Sequence, residues 1–245
     1  MLTVIVVLVV MLVMRLDVPE RVVQVVASRQ ERLVPIYYVE TEEKKVAISF
    51  DASWGAEKTP QILETLREEG LKTTFFLTGF WVEKYPEMVE KIAAEGHEIG
   101  NHTYSHPHLN QLGEKEIEQE VQKVHDMIKE VTEQDPTLFR PPFGEYSNKV
   151  IKVLDKMGYK TIQWSVDSLD WKDLTQEEIA KRVLGGLHEG AIVLFHNNAK
   201  YTADALPLII QGAREKGYTI VPISELIYHE DYYIDEHSGA QIKKP

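Results

Sequence analysis

The chain has 245 residues, 43% of them hydrophobic, which is enough for one large domain with a sizeable core. Its 27 Lys and Arg against 39 Asp and Glu give a net charge of −12 with no basic cluster, so nucleic acid is not expected as a partner. The lack of cysteine excludes disulfides, thiolate metal sites and a cysteine nucleophile.

An apolar run rich in Val and Leu opens the chain and ends at Arg15. It is short for a membrane span, which needs about 20 residues. It also lacks the basic flank and the small-residue cleavage site of a signal peptide. We interpret residues 1–16 as a membrane anchor or signal-like segment, with a buried strand or helix as the alternative. The anchor would place the protein outside the membrane, in a cell or spore envelope.

Four segments are predicted along the chain. After residues 1–16, the mixed charge and the two prolines of residues 17–42 indicate a connector. Residues 43–229 carry the regular alternation of a folded domain. Residues 230–245 are polar and are predicted to be a loose tail.

Strands and helices alternate through the main domain. Short apolar runs predict strands at 45–50, 73–78, 97–100, 138–140, 159–166, 191–195 and 218–221. Amphipathic patterns and caps predict helices at 59–69, 86–94, 114–131, 147–156, 175–188, 203–216 and 224–228. About seven strands alternating with helices predict an α/β fold with a parallel sheet curled into a barrel.

Chemically active side chains recur at the ends of the predicted strands. Asp51 and His196 each follow a strand directly, Arg140 ends one, and Asp167 and Asp170 follow another. Because the carboxyl ends of parallel strands meet at one edge, we expect a shared site there. His102 and His106 lie four residues apart after a further strand, a spacing that lets two imidazoles share a divalent metal. The alternative is a polar loop whose histidines cap backbone groups.

Five segments in order resemble the motifs of the NodB-homology polysaccharide deacetylases, a carbohydrate esterase family. They are SFDASWG at 49–55, HTYSH at 102–106, RPPFG at 140–144, DSLDW at 167–171 and IVLFH at 192–196. The apolar N-terminus and the Phe-Asp-x-x-Trp-Gly variant are most similar to the sporulation-associated PdaB-like branch. The resemblance implies a distorted (β/α) barrel with about seven strands.

The resemblance also implies a reaction, the metal-assisted removal of N-acetyl groups from amino sugars of a cell-wall glycan such as peptidoglycan. His102 and His106 would hold the divalent metal, with zinc expected. Asp51 would be the general base, paired with Arg140, and His196 the general acid, oriented by Asp170. The substrate-binding residues would be Trp171, Trp54, Phe143 and Tyr104, the last through its backbone N–H at the oxyanion.

Each role has a structural alternative. Asp51 could cap a helix, Arg140 could form a structural ion pair, and His196 could be a satisfied core histidine. Asp167 competes with Asp170 for one role, and tryptophans are more often core than sugar platforms.

Ala52 departs from the family pattern, which has a second, metal-binding aspartate at this position. A zinc site usually takes three protein ligands, so the metal is expected to be weakly held. A catalytically weak or inactive glycan-binding relative is therefore an alternative function. An O-acetyl esterase is another, because the same residues can attack either bond.

Overall fold

A computed structural model describes residues 32–172 and 174–245 of the protein. Within them, residues from Leu33 to Pro245 form one compact unit. The strands are β1 Tyr38–Val39, β2 Lys45–Ala52, β3 Thr74–Leu77, β4 Glu98–Asn101, β5 Leu138–Phe139, β6 Lys160–Thr161, β7 Val166–Asp167, β8 Ile192–His196, β9 Thr219–Val221, β10 Tyr232–Ile234 and β11 Ala240–Lys243. The helices are Thr59–Glu68, Gly79–Lys84, Pro86–Ala94, Glu114–Thr132, Asn148–Lys156, Gln176–Gly186, Thr202–Glu215 and Ile223–Leu226.

The main sheet has the strand order β6-β5-β4-β3-β2-β8-β7, with β9 also paired to β2. Every pairing in it is parallel, as expected for strands joined by helical crossovers. β6 and β7 are the two ends of this order, so the barrel is distorted rather than evenly closed. The predicted α/β fold is confirmed.

Strand β2 lies at the centre and separates two layers of core. Its residues Val46, Ile48 and Phe50 face the helices, where Phe50 stacks on Phe75 at 4.9 Å between ring centroids. Ala47 belongs to the second apolar cluster on the other face of the sheet. Because successive strand residues alternate in direction, Ser49 and Asp51 share the face of Ala47. The strand therefore directs Asp51 away from the helical layer.

The capping signals predicted two helix starts correctly. The Ser147 hydroxyl accepts a hydrogen bond from the backbone N–H of Val150. Thr175 and Glu178 form a reciprocal capping box at the start of Gln176–Gly186. The predicted strand 159–166 is instead two short strands, β6 and β7, separated by residues 162–165. The helix Gly79–Lys84 was not predicted, because six residues carry too little periodicity.

The C-terminal residues correct the prediction of a loose tail. Strands β10 and β11 pair antiparallel, and β11 pairs in parallel with β1, which forms a second, three-stranded sheet. Gln241 is fully buried there, and its side chain bonds the backbone N–H and C=O of Tyr228. In the predicted connector, Ile36 and Val39 are also buried. The proposed anchor at 1–16 lies outside the described residues, and no helix within those residues is long and apolar enough to cross a bilayer.

Candidate active site

The strand ends bring the predicted residues into one groove. Asp51 and His196 are register partners on β2 and β8. The groove has a volume of about 720 Å³, and its lining includes Asp51, His102, His106, Asp167, Asp170 and His196. Arg140 follows β5 and lies fully buried beneath them. Residues far apart in sequence thus meet at the carboxyl edge of the sheet, the usual place for chemistry in such folds.

Asp51 and Arg140 form a buried ion pair at the floor of the groove. The Arg140 Nη1 group donates to Asp51 Oδ1 at 2.8 Å, and Asp51 is only 7% exposed. Burial alone would raise the pKa of the Asp51 carboxyl, but the charge of Arg140, with His102 and His196, outweighs it and holds that pKa below its ordinary value. The carboxylate is therefore ionised at neutral pH and able to accept a proton.

Three further groups hold the Arg140 guanidinium, and none of them was predicted from the sequence. Its Nη2 group donates to Ser49 Oγ at 2.8 Å and to the Gln163 carbonyl at 3.3 Å. The cation also lies 4.2 Å from the ring centroid of Phe76, a cation–π contact. Ser49 stands within the first motif, two residues before Asp51, so the strand alternation could have indicated its direction.

His102 and His106 lie next to each other beside Asp51, with His102 buried and His106 half-buried. Their ring centroids lie 5.0 Å apart. The His102 Nδ1 atom lies 2.6 Å from the Arg140 carbonyl, which accepts only if Nδ1 carries the proton. The Nε2 lone pair then faces Asp51 Oδ2, at 3.6 Å. Burial lowers the pKa of both imidazoles, that of His106 to about 4, which keeps them neutral and in the form that binds metals.

The donor set fits a divalent cation in part. A lone pair of His102 turned toward a carboxylate oxygen, with no proton between them, is an arrangement that a cation stabilises. Two neutral imidazoles suit zinc and similar metals. Among the described residues, however, no group of three or more His, Cys, Asp or Glu side chains is arranged to hold a metal ion. Ala52 is fully buried and supplies no donor.

His196 and Asp170 form the opposite wall. Asp170 Oδ1 lies 2.8 Å from His196 Nδ1, and Oδ2 accepts from the His196 backbone N–H at 2.8 Å. Burial would lower the pKa of His196, but the hydrogen bond and charge of Asp170 raise it above its ordinary value. Thr202 donates to the same carboxylate at 2.5 Å, a contact that no motif predicted. Of the two competing aspartates, Asp170 contacts His196, whereas Asp167 accepts from the backbone N–H of Leu169.

Aromatic side chains border the groove. Trp54, Phe143 and Trp171 are 65%, 55% and 58% exposed, which is unusual for side chains of this size. The ring centroids of Trp54 and Phe143 lie 5.0 and 4.5 Å from that of His106. Exposed rings around a polar floor are suited to stacking against the apolar faces of sugars.

Tyr104 corrects one prediction. It does not line the groove, and its backbone N–H donates to the Glu120 carbonyl at 3.1 Å. That donor is therefore not available to an oxyanion. The Tyr104 hydroxyl donates to Glu83 at 2.9 Å, and the Lys123 ammonium lies 3.2 Å from its ring centroid, so the side chain is held on the protein surface.

The family model for polysaccharide deacetylases matches residues 38–162. The chain belongs to the polysaccharide deacetylase family. It is 37% identical over 186 residues to a peptidoglycan-N-acetylglucosamine deacetylase of Bacillus cereus, which covers 74% of this chain and 68% of that relative. It is 32% identical over 205 residues to the peptidoglycan-N-acetylmuramic acid deacetylase PdaA of Bacillus subtilis, covering 82% and 78% of the two chains.

Similar solved structures include a pseudoenzyme of this family and a mutant of it with restored activity. The protein BA3943 of Bacillus anthracis, described as a CE4 family pseudoenzyme, superposes with a TM-score of 0.77 at 37% identity, covering 79% of this chain and 68% of that one. A mutant of BA3943 with restored enzymatic activity also superposes with a TM-score of 0.77, at 38% identity, covering 79% and 71%. Relatives with deacetylase names and a relative without activity thus share this fold.

Proposed function

We propose that this protein removes N-acetyl groups from the amino sugars of peptidoglycan. The observation that carries the proposal is a pair of groups in one groove whose pKa values are shifted in opposite directions. Arg140 lowers the pKa of Asp51 and keeps it ionised, whereas Asp170 raises the pKa of His196 and favours its protonated form. A carboxylate that accepts a proton facing an imidazolium that donates one is the arrangement that amide hydrolysis needs.

The residues divide the reaction between them. Asp51 Oδ2 takes a proton from a water molecule while the oxygen of that water attacks the acetyl carbon. His196 Nε2 then gives a proton to the sugar nitrogen as the carbon–nitrogen bond breaks, which leaves acetate and a free amine. Trp54, Trp171 and Phe143 hold the sugar rings at the mouth of the groove. When bound, a divalent metal polarises the acetyl carbonyl and acidifies the water.

His102 and His106 are the residues that would hold this metal. We infer zinc, because it prefers imidazole nitrogen ligands. With no third ligand from position 52, the affinity is expected to be lower than in a site with three protein ligands. Asp51 Oδ2 is the nearest carboxylate, at 3.6 Å from His102 Nε2. If Asp51 bound the metal it would cease to act as a free base, and the reaction would slow.

A second candidate function is glycan binding without catalysis. Ala52 favours it, as does the likeness to a pseudoenzyme of the same family. Against it stands the complete set of Asp51, Arg140, Asp170 and His196 in bonded pairs, for which simple binding has no use. An O-acetyl esterase is a third candidate, because the same groups can attack an ester carbonyl.

The experiment measures acetate and free amine together, using the full chain, purified peptidoglycan fragments and added zinc. Deacetylation predicts one new amine per acetate released, and inhibition by a chelator. Acetate without amine would indicate the esterase. Glycan binding without acetate, at any metal concentration, would indicate the binding protein and overturn the proposal.

The substrate also suggests the location. Peptidoglycan lies outside the cytoplasmic membrane, so we propose that residues 1–16 anchor the protein to the membrane with the domain in the cell or spore envelope. A role in sporulation rests only on the resemblance to the PdaB-like branch. Membrane fractionation of the full chain and of a chain lacking residues 1–16 tests the anchor. Equal recovery of both in the soluble fraction would contradict it.

A further inference from the structure

The loop that carries His102 and His106 has a strained backbone. Thr103 and His106 have φ angles of 67° and 56°, in the left-handed region that non-glycine residues avoid. Each such residue costs about 1 kcal/mol or more, so surrounding contacts must hold it in place. Thr103 is fully buried, and its hydroxyl accepts from the His106 backbone N–H at 3.1 Å. The conformation of Thr103 therefore helps to position His106.

Asn101 provides one of the contacts that hold Thr103. Its Oδ1 atom accepts from the Thr103 backbone N–H at 3.0 Å. Its Nδ2 group donates to the Val121 carbonyl at 2.8 Å and to the Tyr159 hydroxyl at 3.1 Å. Asn101 is fully buried, so these partners, rather than water, set the orientation of its amide. No motif used above assigns Asn101 a role.

Tyr159 continues the chain of hydrogen bonds away from the site. Its hydroxyl oxygen lies 2.8 Å from His125 Nδ1, and His125 Nε2 lies 3.4 Å from an Asp135 carboxylate oxygen. Burial raises the pKa of Tyr159 above its ordinary value, so this side chain is a neutral hydroxyl. Because Asn101 donates to it, Tyr159 must donate to His125 for its own proton to find an acceptor. His125 then carries its proton on Nε2 and donates toward Asp135.

We propose that Tyr159 and His125 are positioning residues for the pair His102 and His106. They act through Asn101, whose amide they orient and which in turn holds Thr103 in its left-handed conformation. Each group in this chain accepts a hydrogen bond from the group before it and donates one to the next. The chain begins at the Thr103 N–H in the strained loop, passes through the buried Tyr159 hydroxyl and ends at the Asp135 carboxylate on the surface. Tyr159 and His125 do not touch the groove, so sequence motifs that mark groove residues do not identify them.

The variant Tyr159→Phe tests the proposal, because it removes the hydroxyl and keeps the ring that packs against Phe139. We expect hydrogen exchange at the Thr103 amide, measured by NMR in the full chain without metal, to rise about fivefold, the effect of one lost hydrogen bond. The control is Tyr218→Phe, which removes a hydroxyl bonded to the Leu187 carbonyl at 3.5 Å. It should leave exchange at Thr103 unchanged. Exchange that is also unchanged in a folded Tyr159→Phe protein would overturn the proposal.

A second pair of variants separates the positioning of the histidine loop from a general loss of stability. His125→Ala removes the acceptor for the Tyr159 hydroxyl, whereas His125→Asn keeps an acceptor near the position of Nδ1. We expect faster exchange at Thr103 in the alanine variant and recovery toward wild type in the asparagine variant. Wild-type exchange in both would contradict the proposal. Neither readout needs catalysis, so these results stand apart from whether the protein releases acetate.

Discussion

Single side chains set the chemistry of this groove through their neighbours. Asp51 and His196 are register partners on adjacent strands, yet their pKa values are moved in opposite directions. The difference comes from what each one contacts: the cation of Arg140 at Asp51, and the carboxylate of Asp170 at His196. Two groups with opposite proton preferences in one groove are a strong indicator of acid–base chemistry.

Replacing Asp170 tests whether this carboxylate raises the pKa of His196. In Asp170→Asn the imidazolium loses its charged partner, so the pKa of His196 should fall from its raised value. The protonated form needed for amine departure then disappears at a lower pH. We expect the alkaline limb of the kcat/KM profile for acetate release to move to lower pH, while the acidic limb stays in place. An unchanged alkaline limb would show that His196 is not the titrating acid.

Ala52 stands where the resemblance to the family leads us to expect a metal-binding aspartate. In Ala52→Asp we expect a third metal ligand and at least about tenfold tighter zinc binding, measured by calorimetric titration. Because position 52 is fully buried, the new carboxylate should lower the melting temperature of the metal-free protein, and zinc should restore it. A lowered melting temperature that zinc does not restore would contradict the idea that the ligand is missing at this position.

At the scale of elements, the histidine loop depends on close packing with a short helix. Gly79, at the start of Gly79–Lys84, donates its backbone N–H to the Thr103 carbonyl at 3.0 Å. A Cβ atom at Gly79 would overlap the ring of Tyr104. The loop and the helix therefore fit together only while this residue has no side chain.

The variant Gly79→Ala should displace the loop. We expect a loss of about 1–3 kcal/mol in the free energy of unfolding, typical of overpacking, together with weaker zinc binding. The control Gly185→Ala adds the same methyl group on the helix Gln176–Gly186, where nothing lies within 4 Å. It should keep wild-type zinc affinity. Equal zinc affinity in the two variants would show that the Gly79 contact does not position His102 and His106.

The sequence allowed prediction of those parts of the site that strand ends and motif spacing mark. Asp51, Arg140, His102, His106, Asp170 and His196 meet as expected, because parallel strands end at one edge. Thr202, Gln163 and Asn101 were not predicted. Their roles depend on which buried atom they reach, and a lone hydroxyl, side-chain amide or backbone carbonyl has no spacing signal. Tyr104 was assigned from its place in a motif, but its N–H bonds the Glu120 carbonyl.

The strands that could not be predicted from the sequence were missed for a similar reason. β10 and β11 hold three and four residues with few buried side chains, so polarity alone indicated a loose tail. Pairing with the distant β1 is what orders them. Long-range pairing of short strands leaves almost no periodic pattern in the sequence.

At the scale of the whole molecule, buried neutral histidines make stability depend on pH. His97 is 2% exposed, directly precedes β4 and has a pKa lowered to about 4 by burial. Burial lowers the pKa of His106 to about 4 as well. A histidine whose pKa is lower in the folded state stabilises it fully above pH 6.5, and that stability is lost as pH falls toward 4. His196, whose pKa is raised, acts in the opposite direction.

We therefore expect the melting temperature of the metal-free protein to fall between pH 6.5 and 4. In His97→Gln the fall should be smaller, because the variant has no imidazole to protonate in the unfolded chain. Thermal unfolding followed by circular dichroism at several pH values measures this. A fall of the same size in both proteins would mean that His97 does not contribute to the pH dependence.

We propose that the groove around Asp51 hydrolyses N-acetyl groups, with Asp51 as the general base. The most direct measurement is acetate and amine release from peptidoglycan fragments with added zinc, by the wild type, Asp51→Asn and the control Asp126→Asn. Asp126 is an exposed carboxylate on the helix Glu114–Thr132. We expect acetate and amine in equal amounts from the wild type and from Asp126→Asn, and a loss of at least about a hundredfold in Asp51→Asn, the contribution expected of a general base. Release at the wild-type rate by Asp51→Asn, or no release by the wild type, would contradict it.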